Sequence, residues 1–228
     1  MDQDFLPKKK EKNELYDHFD LLKVRLMKSC VNPHPYPHIF IDKALNEFIL
    51  RILWNELPKF TNFDHIQGGG NILKNYDLEC CAWKAYDNFI RDTLVCLLPK
   101  FNEWFEIKNR QLLKYGMSCS WIRQYESFVC FTDPDHGVPP HTDGDSSILN
   151  ILTVLGYPDD SPAPVTNFFS KNIKLNSFTP TTTYSPSRGS LFVWLNLESA
   201  YHGVIEKTLR PGRLTHVASL ESYEKNNA

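Results

Sequence analysis

Apolar residues recur at helical spacing in the first half of the chain and at strand spacing in the second. Over residues 42–57, Leu45, Phe48, Ile49, Ile52 and Leu53 fall on one face, the steps of three and four that a half-buried helix requires. Asp42 stands where an N-cap would satisfy the orphan amides of the first turn, and Pro58 ends the segment. Residues 82–98 repeat the pattern with Trp83, Tyr86, Phe89, Ile90, Leu94 and Leu97, and Pro99 follows. A weaker helical period covers 13–29. Pro33, Pro35 and Pro37 then make an extended link, because proline restricts φ and lacks an amide donor. His34 and His38 read as surface residues of that rigid link. Gly68-Gly69-Gly70 reads as a flexible turn, since no Gly-Lys-Ser/Thr follows to make a phosphate loop.

After residue 115 the pattern changes to short apolar runs, at 118–131, 147–155, 164–169, 171–178, 190–195, 202–205 and 214–220. Turn-forming clusters separate them, as in Asp159-Asp160-Ser161-Pro162, Ser185-Pro186-Ser187-Arg188-Gly189 and Arg210-Pro211-Gly212. Short strands at this spacing predict an antiparallel sandwich or jelly-roll barrel. No internal repeat or linker divides the chain. The expectation is one unit over 1–228, mainly β with N-terminal helices: a helical elaboration over 1–115 packed on one sheet of a β core over 116–222.

Composition narrows the function class. With 42% hydrophobic residues in 228, the chain can fill a core. A net charge of −2 argues against a general nucleic-acid binder. Lys8-Lys9-Lys10 is diluted at once by Glu11 and Glu14, so it reads as a solvated N-terminus. No apolar run reaches the ~18 residues of a membrane span, and the first 30 residues lack the apolar stretch of a secretory leader. The six cysteines form no Cys-x-x-Cys, and Cys80 and Cys81 are adjacent. Free thiols in a reducing cytoplasm are therefore expected.

The candidate chemistry lies in the β half. His141 and Asp143 flank Thr142, and residues two apart in an extended segment point to one side. His202 lies 61 residues further on, at the start of another apolar run. Two imidazoles and a carboxylate are the ligand set of a non-haem Fe(II) centre with open positions. Arg213 and Thr215 are likewise two apart. A guanidinium beside a hydroxyl makes a receptor for a second carboxylate. Arg210, ahead of Pro211-Gly212, reads as a solvent residue. Taken singly, His141 is an ordinary loop imidazole and Asp143 an ordinary turn residue before Gly144. The order and strand placement of all four members lift them above that reading. His136 and Asp145 read as loop or turn residues with a chance of touching substrate, and His216 as structural or solvent-facing. Trp121 and Trp194 read as core aromatics, and Asn150 as a residue that could face a co-substrate.

Together, His141-x-Asp143, His202 in Tyr-His-Gly-Val, and Arg213-x-Thr215 resemble the iron(II)/2-oxoglutarate-dependent dioxygenases, in particular the prolyl-4-hydroxylase-like small oxygenases. The resemblance covers about 118–221. Trp121-Ile122-Arg123-Gln124-Tyr125 resembles the family's strand upstream of His-x-Asp, whose Tyr contacts 2-oxoglutarate. Gly189-Ser190-Leu191-Phe192-Val193 resembles its strand before the distal His. The resemblance implies a double-stranded β-helix (a cupin-like jelly roll), with Fe(II) as metal, 2-oxoglutarate and O2 as co-substrates, and ascorbate as a candidate auxiliary reductant. It makes His141, Asp143 and His202 the catalytic metal ligands, and Arg213, Thr215 and Tyr125 the holders of 2-oxoglutarate. The implied activity is hydroxylation of an unactivated C–H in an amino acid, peptide or other small substrate, with succinate and CO2 as co-products. Related halogenases lack the carboxylate, so Asp143 favours hydroxylation. The nucleic-acid repair branch carries a further Arg beyond the cofactor one, and none follows Arg213. The alternative is a cupin-like barrel that binds metal as an isomerase or sensor, which would not need Arg213-x-Thr215. An inactive scaffold should have lost a ligand, and none is missing. The 156–189 segment and the first 115 residues match nothing diagnostic, which leaves the prime substrate open.

Overall fold

The structure, a computed structural model, describes residues 9–57, 64–66, 70–73, 81–118, 122–132, 137–156, 166–204 and 213–222, with the backbone alone at 9–12, 64–66, 70–73, 81, 122–123, 131–132 and 213. Among the described residues the helices are α1 (Lys9–Lys28), α2 (Glu47–Glu56), α3 (Cys81–Leu97) and α4 (Asn102–Leu113). The strands are β1 (His38–Ile41), β2 (Asp64–Ile66), β3 (Gly70–Leu73), β4 (Ile122–Thr132), β5 (Val138–His141), β6 (Ser147–Gly156), β7 (Thr166–Asn172), β8 (Ser177–Tyr184), β9 (Leu191–Leu195), β10 (Tyr201–Val204) and β11 (Arg213–Ser222). No described helix is long and apolar enough to cross a membrane.

The strands form two antiparallel sheets. The larger runs β1-β9-β6-β11-β4-β3-β2 and the smaller β5-β10-β7-β8. From β4 to β11 the chain winds between the sheets so that distant strands become neighbours, the jelly-roll arrangement that the strand spacing predicted. The long central strands β6 and β11 pair over Leu214 to Glu221. β6 is buried at nearly every position because one of its faces lines the barrel and the other lies under the helices.

The helices cover the outer face of the large sheet. On α1, Leu15, Phe19, Leu22 and Leu26 are buried, the one-sided stripe of an amphipathic helix. Phe19 stacks on Phe89 of α3 at 4.6 Å between centroids. In turn, α3 docks on the sheet through Tyr86, whose hydroxyl meets Thr153 Oγ1 at 2.6 Å. Asp87 of α3 accepts from Tyr125 Oη at 2.6 Å and Ser127 Oγ at 2.7 Å. His216 Nε2 on β11 lies 3.6 Å from the same carboxylate.

Several local expectations change. The helix expected from Asp42 begins at Glu47, and Asn46 caps it by accepting from Ile49 N at 2.9 Å. Asp42 instead accepts from Ser187 N and Ser190 Oγ, tying that segment to the loop before β9. The proline link leads into a strand rather than only a helix, and His38 is buried in it, between the Tyr36 carbonyl and the Tyr184 hydroxyl. The described residues of the N-terminal 115 thus contribute three strands as well as helices. Gly70 opens β3, which pairs with β2, while Gly68 and Gly69 lie outside the described residues. The single strand expected over 171–178 is instead the end of β7, a turn over 173–176 in which Asn176 takes a left-handed φ of 46°, and the start of β8. His216 is buried against Trp83 and Tyr86, not exposed.

Burial alone would raise the Asp87 carboxyl. The polar groups around it, His216, Tyr125 and Ser127, outweigh that and hold it below the usual carboxylate range. A depressed folded-state pKa stabilises the fold above the unfolded pKa, and that contribution is lost as pH falls through the folded value. Asp87→Ala should lower unfolding free energy by about 1–3 kcal/mol at neutral pH, as donors lose their acceptor. In urea titrations the deficit relative to wild type should shrink as pH falls below ~4. An equal deficit at both pH values would contradict this account.

Candidate metal centre

The pairing of β5 with β10 sets His141 directly opposite His202. Directly opposed residues of an antiparallel pair project from the same face, so the 61-residue gap in sequence closes to 4.4 Å between ring centroids. Gly203 permits the approach. A Cβ there would lie 2.5 Å from the Val138 carbonyl oxygen and 3.0 Å from that of Pro139. Asp143 follows two residues past the end of β5, and its Oδ1 lies 3.7 Å from His202 Nε2. One ligand atom from each of His141, Asp143 and His202 lies within 4.8 Å of the others.

Each imidazole is already committed to one tautomer. His141 Nδ1 lies 2.9 Å from the Pro139 carbonyl oxygen and His202 Nδ1 lies 3.1 Å from that of Ala200. A carbonyl only accepts, so Nδ1 carries the proton in each neutral ring and the Nε2 lone pair is left for a metal. Asp143 is oriented as well: its Oδ2 accepts from Asn150 Nδ2 and from Trp194 Nε1, the latter at 3.2 Å. Asn150 Oδ1 accepts from Ser147 Oγ in turn. Neighbouring ligands of a metal with bonds near ~2.1 Å sit about 3 Å apart, so small side-chain movements close the set around an ion. Two nitrogen donors and one carboxylate, each held from behind, fit Fe(II) with open positions.

His202 is buried, while His141 and Asp143 are half-buried. A cleft of about 710 Å³ opens at Asp143, with Thr142, Asp145, Lys108, Lys171 and Tyr201 on its walls. Lys108 of α4 is buried there, its Nζ 3.4 Å from the Asp145 carbonyl oxygen. The β7–β8 hairpin forms the opposite wall through Phe169 to Lys171 and Ile173.

The other predicted residues are placed differently. Thr215 is buried on β11, its Oγ1 3.4 Å from the Cys130 carbonyl oxygen. The β6–β11 register puts Thr215 opposite Val154 and Ser219 opposite Asn150, so Thr215 shares the face from which Asn150 reaches Asp143. Arg213 opens β11 on the backbone, and its side chain lies outside the described residues, as do Trp121, His136 and Arg210. Tyr125 is a correction. It pairs with Leu220 on the helix-facing side of the sheet, and its hydroxyl is held by Asp87 of α3, so it is turned away from the metal ligands. Asn150 and Trp194 gain the specific role of holding Asp143. The available signal was an Asn inside an apolar run, since a buried amide requires partners.

No protein-family model matches the chain, and no curated protein matches it in sequence. In structure it is similar to a prolyl-4-hydroxylase from Pseudomonas putida, with 13% identity and a TM-score of 0.55, over 89% of this chain and 98% of that one. It is also matched to a prolyl hydroxylase from Trichoplax adhaerens, in complex with an oxygen degradation domain peptide fragment of hypoxia inducible factor, with 13% identity and a TM-score of 0.47, over 94% and 93%. At such identity the Pseudomonas likeness is one of fold, and the fold is the one the sequence motifs resembled.

Two substitutions test the geometry. Asn150→Ala removes a donor to Asp143 and should weaken Co(II) binding about 10–100-fold, the usual effect of losing such support. Gly203→Ala forces β10 from β5 and should weaken it as well. Unchanged affinity in both folded variants, measured by Co(II) titration, would contradict the placement described.

Proposed function

We propose that the protein is an Fe(II)- and 2-oxoglutarate-dependent dioxygenase that hydroxylates a C–H bond of an amino-acid, peptide or other small substrate. The observation that carries this reading is the convergence of His141, Asp143 and His202, with both Nδ1 atoms turned to backbone carbonyl oxygens, at the edge of an open cleft. Support also comes from the jelly-roll fold shared with a prolyl-4-hydroxylase. When bound, iron with 2-oxoglutarate and O2 supplies the oxidising power that converts R–H to R–OH while 2-oxoglutarate becomes succinate and CO2.

The chain's own part is binding, orientation and exclusion of water. His141, Asp143 and His202 hold the metal from one side and leave positions open. Arg213 and Thr215 are proposed to hold the far carboxylate of 2-oxoglutarate, the Arg by bidentate contact and the Thr by its hydroxyl. Thr215 is buried, which shields such a contact from water. Asp143 keeps a carboxylate on the metal, which favours oxygen insertion into C–H over halide transfer. The cleft beside Asp143 admits the prime substrate between α4 and the β7–β8 hairpin. The net charge of −2 remains unfavourable for nucleic acid.

Purified protein with Fe(II), ascorbate and 2-oxoglutarate should release succinate even without prime substrate. His141→Ala, Asp143→Ala and His202→Ala should each abolish it. Arg213→Ala should raise the 2-oxoglutarate requirement on the order of 30-fold or more, the cost of leaving a buried carboxylate without its partner. Wild-type iron-loaded protein that fails to bind 2-oxoglutarate under anaerobic conditions would refute the proposal.

A further inference from the structure

Tyr36 lies just ahead of β1 and is 1% exposed. Its ring packs on Phe168 at 4.6 Å and meets His38 edge-on at 6.1 Å. Both neighbours border the metal centre. Phe168 is opposite His202 in the β7–β10 register. His38 is opposite Trp194, whose indole donates to Asp143. The Tyr36 hydroxyl is buried in this setting with no hydrogen-bond partner among the described residues. The adjacent Tyr184 hydroxyl, by contrast, bonds His38 Nε2 at 2.6 Å.

A buried hydroxyl without a partner destabilises a fold relative to a phenyl ring of the same shape. Such a group in a ligand site is explained when the ligand brings the missing acceptor, because the site is then paired only when filled. Resting on the function proposed above, we infer that Tyr36 Oη donates a hydrogen bond to a carboxylate oxygen of 2-oxoglutarate bound at His141, Asp143 and His202.

The chemistry of the phenol agrees. Burial, then the charges of Asp143 and Tyr184, push its ionisation well above the ordinary tyrosine value. It therefore stays protonated and acts as a donor, the role an anionic ligand needs. Its location separates the co-substrate from the prime substrate. Pro35 lines the cleft, whereas Tyr36 does not. A group that faces the interior but not the cleft meets the ligand lodged inside the barrel. Tyr36 thus takes the contact first assigned to Tyr125, whose hydroxyl is held by Asp87.

Tyr36→Phe tests this, because the ring keeps its packing and only the hydroxyl is lost. Fe(II)-loaded protein is titrated with 2-oxoglutarate by anaerobic calorimetry, and the metal-free protein is melted without ligand. The expected result is a Kd for 2-oxoglutarate raised about 10-fold or more, unchanged Fe(II) affinity, and a metal-free Tm equal to or above wild type. A Kd within about 2-fold of wild type overturns the inference alone. So does a lowered Tm, which means that the hydroxyl is already bonded, or needed, without ligand. Absence of 2-oxoglutarate binding by the wild type overturns the proposed function and this inference together.

Discussion

The antiparallel contact between β5 and β10 is the constraint on which the site depends. It brings His141 opposite His202 and leaves both imidazoles on one face. The contact tolerates no side chain at position 203, where a Cβ would meet the Val138 carbonyl oxygen at 2.5 Å. The residue beside the second imidazole is therefore as consequential as the imidazole itself. The Pro139 carbonyl that crowds Gly203 is also the acceptor for His141 Nδ1. One short stretch of backbone thus sets the strand separation and selects the tautomer that exposes Nε2.

The large sheet supplies what the small sheet lacks. Asn150 on β6 and Trp194 on β9 reach across the barrel to Asp143, so the carboxylate is positioned from the opposite layer. The sheet can serve this purpose because its other face is braced. Tyr86 and Asp87 of α3 tie β6 and β4 to the helical layer. Rigid support behind a ligand set limits the reorganisation that metal binding would require. The N-terminal segment does more than cover the sheet: β1 extends it beside β9 and carries Tyr36 and His38 to the centre.

Much of this was legible in residue order. The period change near residue 115 located the described helices, all of which precede it, but not the strands β1, β2 and β3 that precede it as well. Strand spacing implied the jelly roll, and His141-x-Asp143 with His202 picked out three residues that the structure brings together. The misses have physical causes. Period-two alternation sets Tyr125 apart from the exposed Gln124 and Glu126, but it does not say whether the inner face of that strand meets the barrel interior or the helices. In the β7–β8 hairpin, Asn172 and Asn176 mark the turn more truthfully than the flanking apolar residues mark a strand: Asn172 Oδ1 accepts from the amides of Lys174 and Leu175. Asn46 outcompeted Asp42 as a cap because Asp42 found stronger use against Ser187 and Ser190, a long-range contact that local spacing does not contain. Helix α4 has a largely polar sequence, so its apolar stripe is weak.

The central claim is that His141, Asp143 and His202 together form one iron site. Anaerobic Fe(II) titration of the metal-free wild type and of His202→Ala, read by calorimetry and bound-metal analysis, addresses it directly. The account predicts one Fe(II) per chain in the wild type and loss of that site in the variant, with the fold intact by circular dichroism. Equal Fe(II) stoichiometry and affinity in the two proteins would contradict it.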